Sequence, residues 1–572
     1  HVNPYSPAPR SSHIAWKLES HPGGLQGDAL QEAYTYGSAP SIDIIMGGVG
    51  YYQFNGLHAV DIRTGEELWV NTNVTANPTF GQGVSYPYTP GSGSSQTTPS
   101  LWVVGSTIQR INAKTGAVIS TYQGTASRAT TSDISGNNAK NGVILYQTYS
   151  GSVSTGATFV TAWNSSAPGS TYVSKLVFNV SDIPAESGSG PYVYKDVMVL
   201  ARSGDPHSIG YNVLTGEMLW NITRDYNVMS EGTIGYGKIY YPAMDGRVHA
   251  WDVYTGQEVW QSDLKEMPWG VFGAYSAACA YGKVYFETYD GYIRCYDAND
   301  GHTVWEYTSG ETTETPYNAL PFYARPAVAD GVIIAGQTEH SATYPLYRGR
   351  QMFAFDANTG DVLWSIAGQF EGKALADGML VSTDMYTGTT FAFGRGQTST
   401  TVAASPKTLI SGSTLLIEGS VLDQSPAQPG TPAVSKESMT AQMEYLHMSR
   451  PQPTDIMGVP VKLYAINSNG NTLVDIGTAT TNANGKFAFE WTPPTTGVYT
   501  ITAEFTGDES YWSSIDTTGV SVGTAPTATP APSIAATIET PMFSTADIAI
   551  MAVVFVAVIV GIVNILLLRK QK

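Results

Sequence analysis

The sequence predicts an all-β protein: an eight-bladed β-propeller, then a β-sandwich, then a single C-terminal transmembrane helix. Three observations predict this. A nine-residue motif, D/N-x-x-T-G-x-x-x-W, recurs through most of the chain. Alternating apolar and polar runs, split by turn residues, continue after the last copy. The chain then closes on an apolar run, 548–568, followed by Arg569, Lys570 and Lys572.

Composition narrows the field first. At 572 residues the chain exceeds one ordinary domain. Charged residues make up only 13%, while 59 glycines and 35 tyrosines suit an all-β extracellular protein better than a charged helical one. The formal net charge of −18 repels phosphate backbones, so no nucleic-acid partner is expected. Cys279 and Cys295 are the only cysteines, which excludes a disulfide-built scaffold. Neither a CxxCH haem motif nor a four-ligand zinc pattern occurs.

The motif copies are DIRTGEELW (61–69), NVLTGEMLW (212–220), DVYTGQEVW (252–260), DANDGHTVW (297–305) and DANTGDVLW (356–364), with a Trp-less copy NAKTGAVIS at 112–120. A unit of roughly 40–50 residues built from short strands is the signature of propeller blades. The wider gap between Thr115 and Thr215 leaves room for a worn unit, with TFVTAWNSSAPGSTYVSKL (158–176) as its remnant. One blade reads as SAACAY, KVYFETY, an Asp290-Gly291 turn, YIRCYD and HTVWEY, four antiparallel strands. Alternation then places Trp69, Trp220, Trp260, Trp305 and Trp364 between blades. The last unit, about 371–394, supplies three strands. HIAWKLE (13–19), with Trp16 in the tryptophan slot, completes it and leaves no open edge. The propeller thus spans 13–396 with eight blades; seven is the competing count, because 120–205 is poorly marked.

Residues 398–522 read as a second all-β domain, an immunoglobulin-like sandwich with an insertion at 423–458. Met439, Met443 and Leu446 in that insertion fall at i, i+4 and i+7, which predicts a short helix after Ser435. Residues 523–543 are rich in Thr, Pro and Ala and form a semi-stiff linker. The 548–568 run is long enough to cross a bilayer. Basic residues stay inside, so 569–572 is expected to be cytoplasmic and the bulk of the chain extracellular. His1 is not an initiator Met, so a removed N-terminal signal is expected.

The motif copies resemble the pyrroloquinoline-quinone-like β-propeller repeat family. The order of propeller, sandwich, Thr/Pro linker and membrane helix resembles archaeal cell-surface proteins. Catalytic members of that family hold a calcium-bound quinone on the propeller axis, beside an adjacent-cysteine disulfide and a catalytic aspartate. This sequence has no Cys-Cys pair and no residue-by-residue match to the ligands or the base. No catalytic, cofactor-binding or metal residue is therefore assigned. An extracytoplasmic dehydrogenase using pyrroloquinoline quinone with calcium stays as the alternative.

Several residues remain as candidates. The loop GQTEHSATYPLYRGR (336–350) concentrates Glu339, His340, Tyr344, Tyr347, Arg348 and Arg350, and rim loops often carry recognition. Asn73, Asn164, Asn179 and Asn221 lie in N-x-S/T sequons, which an outside location makes candidate glycosylation sites. His58 and His249 recur at one blade position, which points to packing. One strand, KVYFETY, lies between Cys279 and Cys295 and sets them two strand spacings apart, about 9–10 Å, so no bridge is expected. The expected function is a membrane-anchored binding or structural surface protein, with the propeller as recognition head on the immunoglobulin-like domain as a rigid stalk, whose partners are surface-layer or other cell-surface proteins, glycans or neighbouring membrane subunits. A place as auxiliary subunit of a larger membrane complex is the further alternative.

Overall fold

The computed structural model describes residues 2–19, 41–42, 44–82, 98–104, 107–123, 128–131, 143–149, 158–164, 170–183, 192–201, 206–228, 232–266, 277–313, 318–323, 325–338, 350–385, 387–525 and 544–570. Two compact units result, His1–Gly523 and Thr524–Lys572.

Short strands joined by tight turns give eight four-stranded antiparallel sheets among the described residues. From inner to outer strand, sheet I runs from Ile44–Met46 to Glu67–Asn71, and sheet II from Phe80–Gln82 to Val118–Gln123. Sheet III runs from Arg128–Thr131 to Leu176–Ile183, and sheet IV from Tyr192–Tyr194 to Met218–Thr223. Sheet V runs from Thr233–Gly235 to Glu258–Gln261, sheet VI from Ala277–Ala280 to Thr303–Thr308, and sheet VII from Ala327–Ala329 to Val362–Ala367. Sheet VIII has Phe370–Ala376, Met379–Asp384 and Thr389–Phe393, and its fourth strand is Ile14–Glu19 from the other end of the chain. Trp16 stands opposite Ala392 in that pairing. The inner strand of sheet VIII lies beside those of sheets VII and I, so the series returns on itself as a β-propeller.

The motif explains how sheets are joined. The first Asp or Asn folds the turn: Asp61 Oδ1 accepts from the amides of Arg63 (2.8 Å) and Thr64 (3.0 Å), an Asx turn repeated at Asp252 and Asp356. The outer-strand Trp then reaches the next sheet. Trp305 Nε1 donates to the Ala357 carbonyl at 3.2 Å, and the Tyr285 hydroxyl donates to the same oxygen at 3.1 Å. Gly360 lies against that indole, and a Cβ there would come within 2.7 Å of Trp305 Cδ2. Trp69, Trp220 and Trp260 donate likewise to Ala113, Val253 and Ala298, and Trp16 donates to Ile62 of sheet I.

Three joints lack the standard fastener, and at one of them Leu176–Ile183, the outer strand of sheet III, carries no Trp. Sheet II has Ser120 in the Trp slot. There Trp163 packs edge to face on Trp102 at 5.6 Å and on Tyr122 at 5.2 Å, and Lys175 Nζ sits 5.7 Å from the rings of both Tyr122 and Trp163. Sheet VIII has no motif turn, because its outer strand starts at Ile14. The segment before that strand supplies the acceptor: Trp364 Nε1 donates to Pro9 O at 3.1 Å.

The sandwich has a three-stranded sheet (Thr398–Ser405, Leu415–Asp423, Lys486–Trp491) and a five-stranded one in the order Thr408–Ile410, Ser514–Gly523, Gly497–Phe505, Pro460–Asn467, Thr472–Thr480. Inward residues such as Ile417, Leu463, Phe487, Tyr499 and Ile501 share one core cluster with Ile14, Met352, Trp364, Phe391 and Phe393 of the propeller. The sandwich is therefore packed onto sheets VII and VIII and does not stand apart as a stalk. The inserted helix α1, Lys436–His447, makes much of that contact, with Met439 and Met443 buried and Leu446 partly so.

Helix α2, Thr545–Arg569, is 25 residues long and apolar enough to cross a membrane. It begins before the run at 548 because Ser544 caps it. The Ser544 hydroxyl accepts from Asp547 N, and Asp547 accepts from Ser544 N.

Candidate functional site

Two buried polar assemblies stand out among the described residues, because each ties together elements far apart in the sequence. The first lies where the inner ends of sheets VI, VII and VIII meet. Lys373, on the inner strand of sheet VIII, reaches past sheet VII to Glu287 of sheet VI, with Nζ 3.5 Å from Oε1. Both side chains are essentially inaccessible. Gly336 of sheet VII lies beside this lysine, and a Cβ there would come within 2.8 Å of Phe370 O, so glycine lets the strands of sheets VII and VIII approach closely. Around this pair, Gln369 Nε2 donates to Thr338 Oγ1 at 3.1 Å, and Gln369 N donates to Asp384 Oδ1 at 3.0 Å. Thr387 Oγ1 donates to Asp384 Oδ2 at 2.9 Å. Arg350 donates to Gln369 Oε1. Such a network, with its charges paired, holds three sheets in one register.

The second assembly joins the closing strand to the sandwich. His13, directly before that strand, is fully buried. Its Nδ1 donates to Gly394 O (2.7 Å), and its Nε2 faces Asp423 Oδ2 (2.9 Å). Gln428 Nε2 and Ser425 Oγ also approach His13 Nε2, at 3.3 and 3.4 Å. Burial alone would raise the Asp423 pKa; the hydrogen bond and charge of His13 outweigh it and hold the carboxyl below its ordinary value. Gln428 Nε2 donates to Asp423 Oδ2 (2.9 Å) and to Ile14 O (2.6 Å), and its Oε1 accepts from His447 Nε2 of α1 (2.9 Å). Burial lowers the His447 pKa to about 4, helped by Lys17 and His13. The backbone of Gly396 passes close by, and a Cβ there would overlap Ser425 Oγ and the His13 ring. Thr440 Oγ1 donates to Ser365 O at 2.9 Å, and Ala367 N donates to Glu444 Oε1 at 2.8 Å, which ties α1 to sheet VII as well.

The sequence-predicted residues fall in several places. Glu339, His340, Tyr344, Tyr347 and Arg348 lie outside the described residues. Arg350 is only 2% exposed and belongs to the interior network, so it does not serve at the rim. Its position at the start of Gln351–Asp356 turns it inward, which is the physical reason for the correction. Asn73 and Asn221 are exposed and Asn164 is half-buried; Asn179 lies on Leu176–Ile183, with its side chain outside the description. His58 stacks on Tyr52 at 4.8 Å and bonds Glu67 Oε2 at 2.7 Å, and His249 sits between Asp245 and Glu258 against Tyr226. Cys279 stands opposite Val284, and Cys295 opposite Tyr285 and Trp305, so the strand Lys283–Thr288 lies between them. Burial pushes the Cys279 thiol up to about 12. Asp297, Asp300 and His302 cluster at a motif turn, where Asp297 Oδ1 accepts from Asn299 N as in the sister turns.

The sequence reading missed both buried assemblies. The signal available was a charge set among apolar residues in a strand with one other charge: Glu287 in KVYFET, which also holds Lys283, and Lys373 in FEGKALA, which also holds Glu371.

The residues at the first assembly do not fit a calcium-bound quinone. Calcium takes six to eight oxygens. Here the buried Glu287 carboxylate faces an ammonium, which repels a second cation.

A family model described as outer membrane protein assembly factor BamB matches residues 244–503, from sheet V into the sandwich. No curated protein matches the chain. Among solved structures, the chain is similar to a computationally designed protein, Ika8 (14% identity, TM-score 0.43, covering 67% of this chain and 99% of that one). It is also similar to BamB from Moraxella catarrhalis (12%, TM-score 0.39, covering 66% and 99%). A third is the quinohemoprotein alcohol dehydrogenase from Comamonas testosteroni (11%, TM-score 0.39, covering 66% and 76%).

Proposed function

We propose that this is a membrane-anchored cell-surface binding or structural protein. An eight-bladed propeller is its recognition head, the immunoglobulin-like sandwich a rigid collar on that head, and 523–543 the tether. Helix α2 is the anchor, with the C-terminus cytoplasmic. The carrying observation is the order of parts: a folded all-β unit, His1–Gly523, ahead of an apolar helix with no buried residue that ends at Arg569. The family match to an assembly factor supports a protein-interaction role for the head. Partners are cell-surface or surface-layer proteins, glycans or neighbouring membrane subunits. Glycans on exposed Asn73 and Asn221, and on Asn164 and Asn179, belong to the same reading.

The head binds rather than catalyses in this reading, because its buried charged groups are spent on one another. Purified full-length protein with added pyrroloquinoline quinone, calcium and an artificial electron acceptor tests this. No turnover is expected, and turnover would replace the reading with the dehydrogenase one. Copurification of a stoichiometric membrane subunit in mild detergent would instead favour the auxiliary-subunit role.

A further inference from the structure

The turns joining first to second strands, and third to fourth strands, lie on one face of the propeller. Backbone bonds between them show it: Val253 N donates to Gly237 O, and Ala298 N to Gly282 O. Across sheets IV to VI this face carries a run of tyrosines. Tyr236 and Tyr254 are 43% exposed and Tyr281 36%, and the N-terminal segment adds Tyr5 at 97%.

These tyrosines are linked in series, by one ring contact and then through neighbouring backbone. Tyr194 of sheet IV meets Tyr254 of sheet V edge-on at 6.5 Å. Tyr254 lies 4.0 Å from where a Cβ on Gly237 would stand, next to Tyr236. The Tyr236 hydroxyl accepts from Gly282 N at 2.9 Å, beside Tyr281. The Tyr281 hydroxyl accepts from Gly331 N at 2.8 Å, beside Asp330, which pairs with Arg10. The phenol of Tyr236 is held above its ordinary pKa first by burial, then by its neighbours Cys279, Tyr281 and Tyr194.

The residue choice is costly for the turn alone. Tyr236 and Tyr281 sit at φ 53° and 54°, a region that favours Gly, Asn and Asp. Sister turns use Gly47, Lys195, Asp330 and Asp377 there. Asp377 also makes the same bond to the next sheet, accepting from Gly48 N at 2.9 Å. Bridging therefore does not require a tyrosine. What the tyrosine adds is a ring with a fixed hydroxyl and an exposed face.

We propose that this tyrosine strip, Tyr194–Tyr254–Tyr236–Tyr281, binds a neutral polysaccharide chain by stacking successive sugar rings. The proposal rests on the head being a binding module and names its partner class. The rim supports a sugar over a proline-rich peptide. Lys195, Asp196, Lys283, Asn358 and Asp330 border the strip with both donors and acceptors, which match the hydroxyls of a sugar. Proline offers no backbone donor.

The test is calorimetric titration of the full chain in nanodiscs with cellohexaose, chitohexaose, mannohexaose and hexaproline. At least one hexasaccharide should bind saturably. The paired variant Tyr236→Asn/Tyr281→Asn should weaken that binding at least tenfold. Asn tolerates positive φ and can accept the same amide, so folding should be kept, as an unchanged thermal midpoint would verify. Tyr445→Asn, on α1 away from the strip, should leave binding intact. The proposal is overturned if no hexasaccharide binds, if the paired variant binds as well as the parent, or if only hexaproline binds in a tyrosine-dependent way. A parent chain that binds no hexasaccharide while its head is still exposed at the cell surface would reject the strip and leave the anchored head.

Discussion

Gly360→Ala offers a quantitative check on how the ring is fastened. Gly360 has φ +78° and lies under Trp305, with a Cβ placed 2.7 Å from Cδ2 and 2.8 Å from Cε3. Two costs add. Placing an L-residue in the left-handed region costs about 1–2 kcal/mol. Wedging a methyl into a packed aromatic contact costs about 1–3 kcal/mol more. Gly331, in the same sheet, has φ +72° and nothing within 4 Å of a Cβ. Gly331→Ala should therefore show the backbone cost alone, about 1–2 kcal/mol. The denaturant midpoints of both variants against the parent, followed by Trp fluorescence, give the comparison. Gly360→Ala should be clearly the more damaging. Equal midpoints would refute the claim that the motif glycine exists to seat the neighbouring indole.

Three further outcomes follow from the buried polar groups. Lys373→Met leaves Glu287 buried without its ion-pair partner and should cost about 3–5 kcal/mol of stability; Glu287→Gln with Lys373→Met should recover much of it, read from the same midpoints. His447 has a folded pKa lowered to about 4 from 6.5, so the unfolded chain takes up its proton first. Its contribution is complete above pH 6.5 and lost as pH falls toward 4, by about 3 kcal/mol at most. Thermal midpoints across that range should drop in the parent, and less in His447→Gln; equal slopes would contradict the assignment. Intact masses with and without reductant should agree, because Lys283–Thr288 separates Cys279 from Cys295; a two-dalton shift would overturn the strand order.

Much of the fold was legible because the motif is a local device. Asp61, Thr64 and Gly65 make a turn that needs only neighbouring residues, and Trp69 marks the strand that follows. Periodicity also revealed α1, whose Met439 and Met443 face inward. What stayed hidden depends on partners distant in sequence. Nothing near Pro9 announces that its carbonyl will receive Trp364, 355 residues away. His13 and Asp423 are likewise single residues with no repeat, and they meet only when the closing strand and the sandwich are both in place. Nothing around Lys373 in FEGKALA announces that its partner is Glu287, two sheets away. The tyrosines at 236 and 281 looked like ordinary β-protein aromatics until their positive φ set them apart.

The central claim, an outward-facing head on a single anchor, is tested most directly by protease shaving of intact cells expressing the chain with an epitope tag after Lys572. The account predicts that external protease removes the 1–523 unit and leaves a short tagged fragment containing Thr545–Arg569 in the membrane. A head that stays intact until the cells are opened, or a tag that outside antibody reaches in sealed cells, would contradict it.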